Sequence, residues 1–252
     1  MRRITRSGFA ALGCLAATAQ SAFAAEPYNW SGFYVGASAS YVHQNARFEW
    51  DKGPLYLDPN NLFRIRKAAA DATIKTDDFG ATFQSGYNYQ FGAFVLGLET
   101  DYTFVAAQGE RAVDLATVGL SNNSLTESVG TSALFTLRPR LGFSFDRFLV
   151  YGTGGWAAGK VSFYNRSGYA AVADGVGSSS AWLSGWTAGG GIEWAVADSW
   201  RVKAEYLHTD LGDVTYTSSS PDLLPQFTLV THRHRVNYDI LRVGFNYAFG
   251  TR

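Results

Sequence analysis

The chain reads as all-β: eight antiparallel strands closing up-and-down into a transmembrane barrel. Three observations predict this. Apolar residues recur with a period of two, the connections between the segments alternate long and short, and no apolar run after the N-terminal segment approaches the roughly 20 residues of a spanning helix. The segment Ile240–Phe249 shows the pattern most plainly. Leu241, Val243, Phe245, Tyr247 and Phe249 share one face, and Ile240, Arg242, Gly244, Asn246 and Ala248 the other. Such a strand has one greasy face and one small or polar face. In a soluble sandwich the greasy face looks inward; in an outer-membrane barrel it looks at lipid.

The first predicted strand alternates Phe33, Val35, Ala37, Ala39 and Tyr41 with Tyr34, Gly36, Ser38 and Ser40. A polar stretch from His43 to about Asp77 follows. The second strand sets Phe79, Ala81, Phe83, Tyr87 and Tyr89 against Gly80, Thr82, Gln84, Gly86 and Asn88. A few residues around Phe91-Gly92 lead into the third, with Leu96, Leu98, Tyr102 and Phe104 opposite Gly97, Glu99, Asp101 and Thr103. After a second polar stretch, Ala106 to Gly130, the fourth strand opposes Ala133, Phe135, Leu137, Leu141 and Phe143 to Thr136, Arg138, Arg140, Gly142 and Ser144. Asp146-Arg147 turns into a fifth strand, Phe148 to Phe163, whose glycines leave its facing open. A third polar stretch, Asn165 to Ser180, precedes strand six, where Trp186, Ala188, Ile192 and Trp194 oppose Thr187, Gly189, Gly191 and Glu193. Val196 to Ser199 turns into strand seven, with Trp200, Val202, Ala204 and Tyr206 against Arg201, Lys203 and Glu205. The fourth polar stretch, Gly212 to Arg235, leads to the closing strand. The four long connections are expected outside the cell and the three short ones in the periplasm, with both termini periplasmic. Pro139 dissents, because a closed barrel has no edge where its missing N–H goes unnoticed, and it predicts a bulge or an unpaired carbonyl.

The N-terminus sets the compartment. Arg2, Arg3 and Arg6 precede the apolar run Gly8 to Thr18, and Ala22-Phe-Ala24 has the small-x-small form of a cleavage site. Residues 1–24 therefore read as a cleaved secretory signal, leaving 25–252 as the barrel domain. Cys14 lies inside it, and Ala11-Leu12-Gly13 makes a poor lipobox. Without the signal, 18 basic residues remain of 21, against 21 acidic ones, and no cysteine remains. That mature chain has no disulfide and no thiol chemistry, and the charge balance does not support nucleic-acid binding.

The greasy face carries no charge in strands two, three, four and six, as a lipid-facing band requires. The other face carries Glu99, Asp101, Arg138, Arg140, Glu193, Arg201, Lys203, Glu205 and Arg242. An eight-stranded barrel is just wide enough for side chains to fill, so charges inside it must pair. These nine are expected to form a lumenal network that plugs the barrel. A selectivity lining for a narrow pore passing small solutes is the alternative. His232 and His234, one residue apart in the fourth long connection, could contribute to a haemin or metal site. His208 and Asp210 evoke a hydrolase pair, but His208 shares the outward parity of Tyr206 and no serine is placed as nucleophile, so no enzyme is expected.

Trp30-Ser-Gly-Phe-Tyr-Val-Gly36, Phe94-Val-Leu-Gly-Leu-Glu99 and Arg140-Leu-Gly-Phe-Ser-Phe-Asp-Arg-Phe148 resemble the small porin-like outer-membrane barrels of α-proteobacteria. So do Tyr151-Gly-Thr-Gly-Gly155, Gly185 to Gly191, Lys203-Ala-Glu-Tyr-Leu207, Asp210-Leu-Gly212 and Arg242 to Phe249. That family includes the major surface and haemin-binding proteins of rhizobia and their pathogenic relatives. The resemblance implies an OmpA-type barrel abundant in the outer membrane, a surface antigen contributing to envelope integrity and, in some members, host contact or haemin binding. Its implied partners are outer-membrane lipid, lipopolysaccharide and the barrel assembly machinery, the last reading Phe245, Tyr247 and Phe249 as its signal. It implies no obligatory cofactor, and the residues identify no extracellular partner. Family members typically end on the aromatic residue, whereas this chain continues with Gly250-Thr-Arg252.

Overall fold

A computed structural model of the chain describes residues 28–52, 73–119, 123–169, 172–218 and 230–250; the expected signal peptide lies outside them. Eight strands close into one barrel, each hydrogen-bonded to its chain neighbours and the last to the first. They are β1 Gly32–Lys52, β2 Thr73–Phe91, β3 Phe94–Val113, β4 Asn123–Phe145, β5 Phe148–Tyr169, β6 Val172–Ala195, β7 Trp200–Ser218 and β8 Val230–Ala248. Closure is continuous, β1 and β8 pairing antiparallel from Tyr34↔Ala248 to Lys52↔Val230. At the same end Gly32 takes φ +125°, and a Cβ there would lie 2.7 Å from the Phe249 carbonyl oxygen, so only glycine lets the two chain ends cross this closely.

The strands correct the expected loops. They run 19 to 24 residues, about twice the 9–11 that a crossing needs. The described parts of the four polar stretches are almost wholly strand, and only residues 170–171 separate β5 from β6. Between β3 and β4, Asp114 caps a short 3-10 helix, Leu115–Val118, by accepting from the Ala116 amide. The three tight turns and both described chain ends share one end of the barrel, called here the turn end. Asp146 occupies the left-handed region there with φ +50°, which a short side chain tolerates. Pro139 produces no bulge. The β4–β5 register runs unshifted from Leu137↔Trp156 to Arg140↔Thr153, and the Thr153 hydroxyl donates to the Pro139 carbonyl at 2.9 Å. Bulges fall elsewhere, at Phe104/Ala107, Thr131/Ala133 and Asp210/Asp213.

In the half nearer the turns, the outer surface is a greasy band. Phe33, Phe83, Leu96, Leu141, Ile192, Val243 and Phe245 stand exposed on it. Rings crowd its rim at the turn end, with Phe33 against Tyr87, Phe94 against Phe143, Phe148 against Trp194 and Trp200 against Tyr247. An apolar surface of this extent is not left open to water and calls for a lipid environment. β5 resolves with Leu149, Tyr151, Ala157 and Val161 inward and Val150 and Trp156 outward.

Beyond the band the pattern inverts. Along β1 the exposed residues are Phe33, Val35, Ala39 and Tyr41 up to the switch, then Arg47 and Glu49, while Val42, Ala46 and Phe48 turn inward. The far half thus encloses an apolar core that includes Val105, Leu134, Val161, Phe163, Leu207, Leu211 and Val236.

Candidate functional site in the lumen

The charged residues of the inward face converge in the turn-end half. Register does much of the work. Glu99 on β3 stands directly opposite Arg138 on β4, and Glu205 on β7 opposite Arg242 on β8. Arg138 is the centre, its guanidinium 2.7 Å from Glu99, 2.7 Å from Asp101 and 3.1 Å from Glu205. Arg140 binds Glu193 at 2.6 Å and Glu99 at 3.2 Å. Lys203 reaches Glu99 at 2.7 Å and Glu205 at 3.4 Å. Arg242 closes the set on Asp101 at 3.0 Å and Glu205 at 3.6 Å. Four carboxylates therefore meet four cations, all buried, and formal charge cancels within the layer. Burial without such cancellation would cost several kcal/mol per ion, roughly, after relaxation.

Two tyrosines complete the layer, and sequence reasoning missed both. Tyr34 Oη donates to Glu99 at 2.7 Å and accepts from Arg140 at 3.0 Å. Tyr151 Oη donates to Glu205 at 3.0 Å while its ring lies under the Arg140 guanidinium, 3.9 Å from the centroid. Their signal was available for Tyr34: a large ring on the small, polar face of an otherwise regular strand. Space for these groups comes from glycine. A Cβ on Gly97 would lie 2.9 Å from the Arg140 side chain.

Arg201 does not join the network. It lies nearer the turn end, where Tyr28 and Trp30, ahead of β1, fold back across the barrel mouth. The Arg201 Nε donates to Tyr28 Oη at 3.0 Å, and its guanidinium sits 4.7 Å from the Trp30 ring. Tyr28 is tied in turn to the Asp198 carbonyl at 2.7 Å. Together with Val95, Leu149 and Ala195 these residues make a small apolar cap. Above the ion pairs a neutral polar tier runs Ser40···Thr82···Thr103 at 2.7 and 2.8 Å, Thr103 accepting from Arg242. The interior therefore has four tiers: cap, ion pairs, hydroxyls, apolar core.

The histidines fall in strand rather than in a loop. His234 lies in β8, buried, its ring 4.4 Å from Phe48 and 4.6 Å from Phe163 by centroid. His232 is also in β8, with its side chain outside the described set. His208 faces outward, against the Trp186 ring, and pairs with Asp239 at 2.9 Å. Phe245 and Tyr247 lie on the outward face of β8, and Phe249 follows the strand with its amide on the Phe33 carbonyl at 2.8 Å.

A closed antiparallel barrel that is greasy outside and ion-paired inside defines an outer-membrane barrel protein. The chain belongs to the family described as the outer membrane protein beta-barrel domain, whose model matches residues 7–249. It is 29% identical over 266 residues to the 31 kDa outer-membrane immunogenic protein of Brucella melitensis, covering 99% of this chain and 100% of that one. It is 27% identical to the 22 kDa outer membrane protein of Rhizobium leguminosarum bv. viciae, over 76% of this chain and 69% of that one. Among solved structures, OprG from Pseudomonas aeruginosa aligns over 87% of this chain and 96% of its own, with 13% identity and a TM-score of 0.48. The chain is an outer-membrane β-barrel protein.

Proposed function

We propose that the protein is a non-conducting, non-catalytic structural barrel that supports envelope integrity, with its turn end and both termini in the periplasm and its far end outside the cell. The observation that carries this reading is the filling of the lumen by four successive tiers, with the ion-paired tier in the half that the greasy band surrounds. A hydrated ion crossing it would have to part Arg138 from three carboxylates at once, and each broken buried pair costs about 3–5 kcal/mol. Support for this orientation comes from the outward Arg47 and Glu49 and the height of the far half, which suit an aqueous exterior. Outer-membrane lipid, lipopolysaccharide and the assembly machinery are the partners in this reading, with Phe245, Tyr247 and Phe249 presented to the last.

Planar bilayer recording tests it. The purified full chain should give no steady single-channel steps at moderate voltage. Regular steps that vanish when Arg138 is replaced by a bulkier aromatic residue would establish the narrow pore instead.

A further inference from the structure

In the turn-end half the lumenal face carries more bases than acids. Arg138, Arg140, Arg201, Lys203 and Arg242 are buried inward cations, and Glu99, Asp101, Glu193 and Glu205 are the buried carboxylates that face them. The ion-paired tier engages all of those carboxylates with the cations other than Arg201. The excess charge is therefore localised on Arg201, between that tier and the cap made by Tyr28 and Trp30.

Among the described residues Arg201 meets no carboxylate. Its Nε donates to Tyr28 Oη at 3.0 Å, its Nη2 lies 3.4 Å from the Trp30 carbonyl oxygen, and its guanidinium sits 5.3 Å and 4.7 Å from the centres of the Tyr28 and Trp30 rings. Glu193 is one residue pair away, opposite Lys203 in register, and is held by Arg140 at 2.6 Å. Arginine does not lose its proton in a protein, so the charge cannot be shed on burial. Contacts with ring faces offset only part of what burying an unpaired ion costs.

Three N–H donors at this level have no partner. They are Nη1 of Arg201 itself, Nδ2 of Asn246 and Nε1 of Trp30, each on a side chain with no exposed surface. Asn246 stands directly opposite Arg201 in the β7–β8 register. Its Oδ1 accepts from Gln84 at 2.9 Å, on the side away from β7, so the donor end remains for the Arg201 side. Buried donors without acceptors are costly. A water molecule would accept these hydrogen bonds and leave the charge standing, whereas a small anion answers both.

We infer that this layer binds a single monovalent inorganic anion of halide size as the counterion of Arg201. Charge sets the valence, because one such ion balances the lumen and a dianion such as sulfate reverses the excess. Position sets the route. Arg201 lies on the turn-end side of the ion pairs, so the ion enters past Tyr28 and Trp30 and stops at Arg140 and Lys203. The site is a dead end and requires no conduction through the barrel.

The test unfolds the full chain with urea from phosphatidylcholine vesicles, in sodium chloride or in sodium gluconate of equal ionic strength. Chloride should stabilise the barrel saturably, and at roughly ten times its half-saturating concentration the folded-to-unfolded ratio should rise about tenfold. Bromide should act like chloride, and sulfate should not. Arg201→Gln should abolish the chloride dependence while keeping the heat-modifiable gel shift of a folded barrel. Lys160→Gln, at an exposed outward cation on β5, should leave that dependence intact. Wild-type crystals grown in sodium bromide should show an anomalous-scattering peak in contact with Arg201 Nη1, a readout that holds even if the Arg201 variant does not fold. Equal stability in chloride and gluconate, a chloride dependence that persists in folded Arg201→Gln, or bromide crystals without that peak would each overturn the proposal.

Discussion

Between the level of Arg138 and the level of Phe163, the barrel exchanges its inside for its outside. Near the turns, ion pairs fill the interior and Val243 and Leu96 are exposed; further on, Leu134, Val161 and Val236 fill the interior and Arg47 and Arg235 are exposed. The same closed sheet thus holds two folding logics. The far half is an ordinary aqueous protein, stabilised by burying apolar area at about 25 cal/mol per Å². The near half gains nothing from hiding apolar groups, since lipid is as apolar as any core, and its interior is specified by geometry and charge instead. Identical substitutions should therefore have opposite consequences in the two halves.

The largest effect is expected at the centre of the charge layer. Arg138→Met leaves Glu99, Asp101 and Glu205 facing each other and should destabilise the barrel by about 3–5 kcal/mol in urea unfolding from lipid vesicles. A loss under about 1 kcal/mol would mean that water reaches this layer and that the lumen is not closed there. Next, Leu134→Ala in the far half should cost about 2–5 kcal/mol by the same measurement, the ordinary penalty of a core cavity. Should it prove neutral, the far half contributes no cohesive core. On the exterior the contrast becomes a paired experiment. Val243→Arg, 62% exposed within the greasy band, should cost about 2–4 kcal/mol. Gln108→Arg, exposed on the far half of β3, should stay within about 0.5 kcal/mol. Equal costs at the two positions would erase the proposed boundary between lipid and water. Finally, replacing Phe249 with Asp should lower the yield of membrane-inserted barrel in a cell fractionation assay while leaving a refolded sample nearly as stable. Normal insertion would remove Phe249 from the assembly signal.

The near half was legible in the sequence because lipid demands apolar residues on alternate positions with almost no exceptions. Eight such segments, the facing of all but the fifth, and most of the lumenal ionic set followed from that rule. The far half was missed for a reason of phase. Val42, Ala46 and Phe48 still alternate with His43, Asn45, Arg47 and Glu49, but the apolar parity has moved to the other face, so a search for one continuous greasy side stops at Tyr41. Asn165 to Ser180 hid better still, since its glycines and serines have the composition of a loop while they pair as strand. Arg201 was misplaced because its partners, Tyr28 and Trp30, precede the first strand and no periodicity connects them to it. The bulge expected at Pro139 is absent because the β4–β5 register continues unshifted across it, with the Thr153 hydroxyl donating to the Pro139 carbonyl.

The abruptness of the reversal also fixes how deep the molecule sits. Within two residues, Tyr41 to His43 on β1 and Tyr206 to His208 on β7, the outer wall passes from rings to ionisable groups. Sinking the barrel by a single residue pair would push Asp77 and Asp239 toward hydrocarbon, and lifting it would draw the ring at Phe33, Trp194 and Trp200 off the opposite interface. Each displacement is opposed from both rims, so the molecule is a gauge of membrane thickness. In a bilayer a few ångströms thicker or thinner than its band, it is the lipid that should stretch or compress around the wall, by fractions of a kcal/mol per Å.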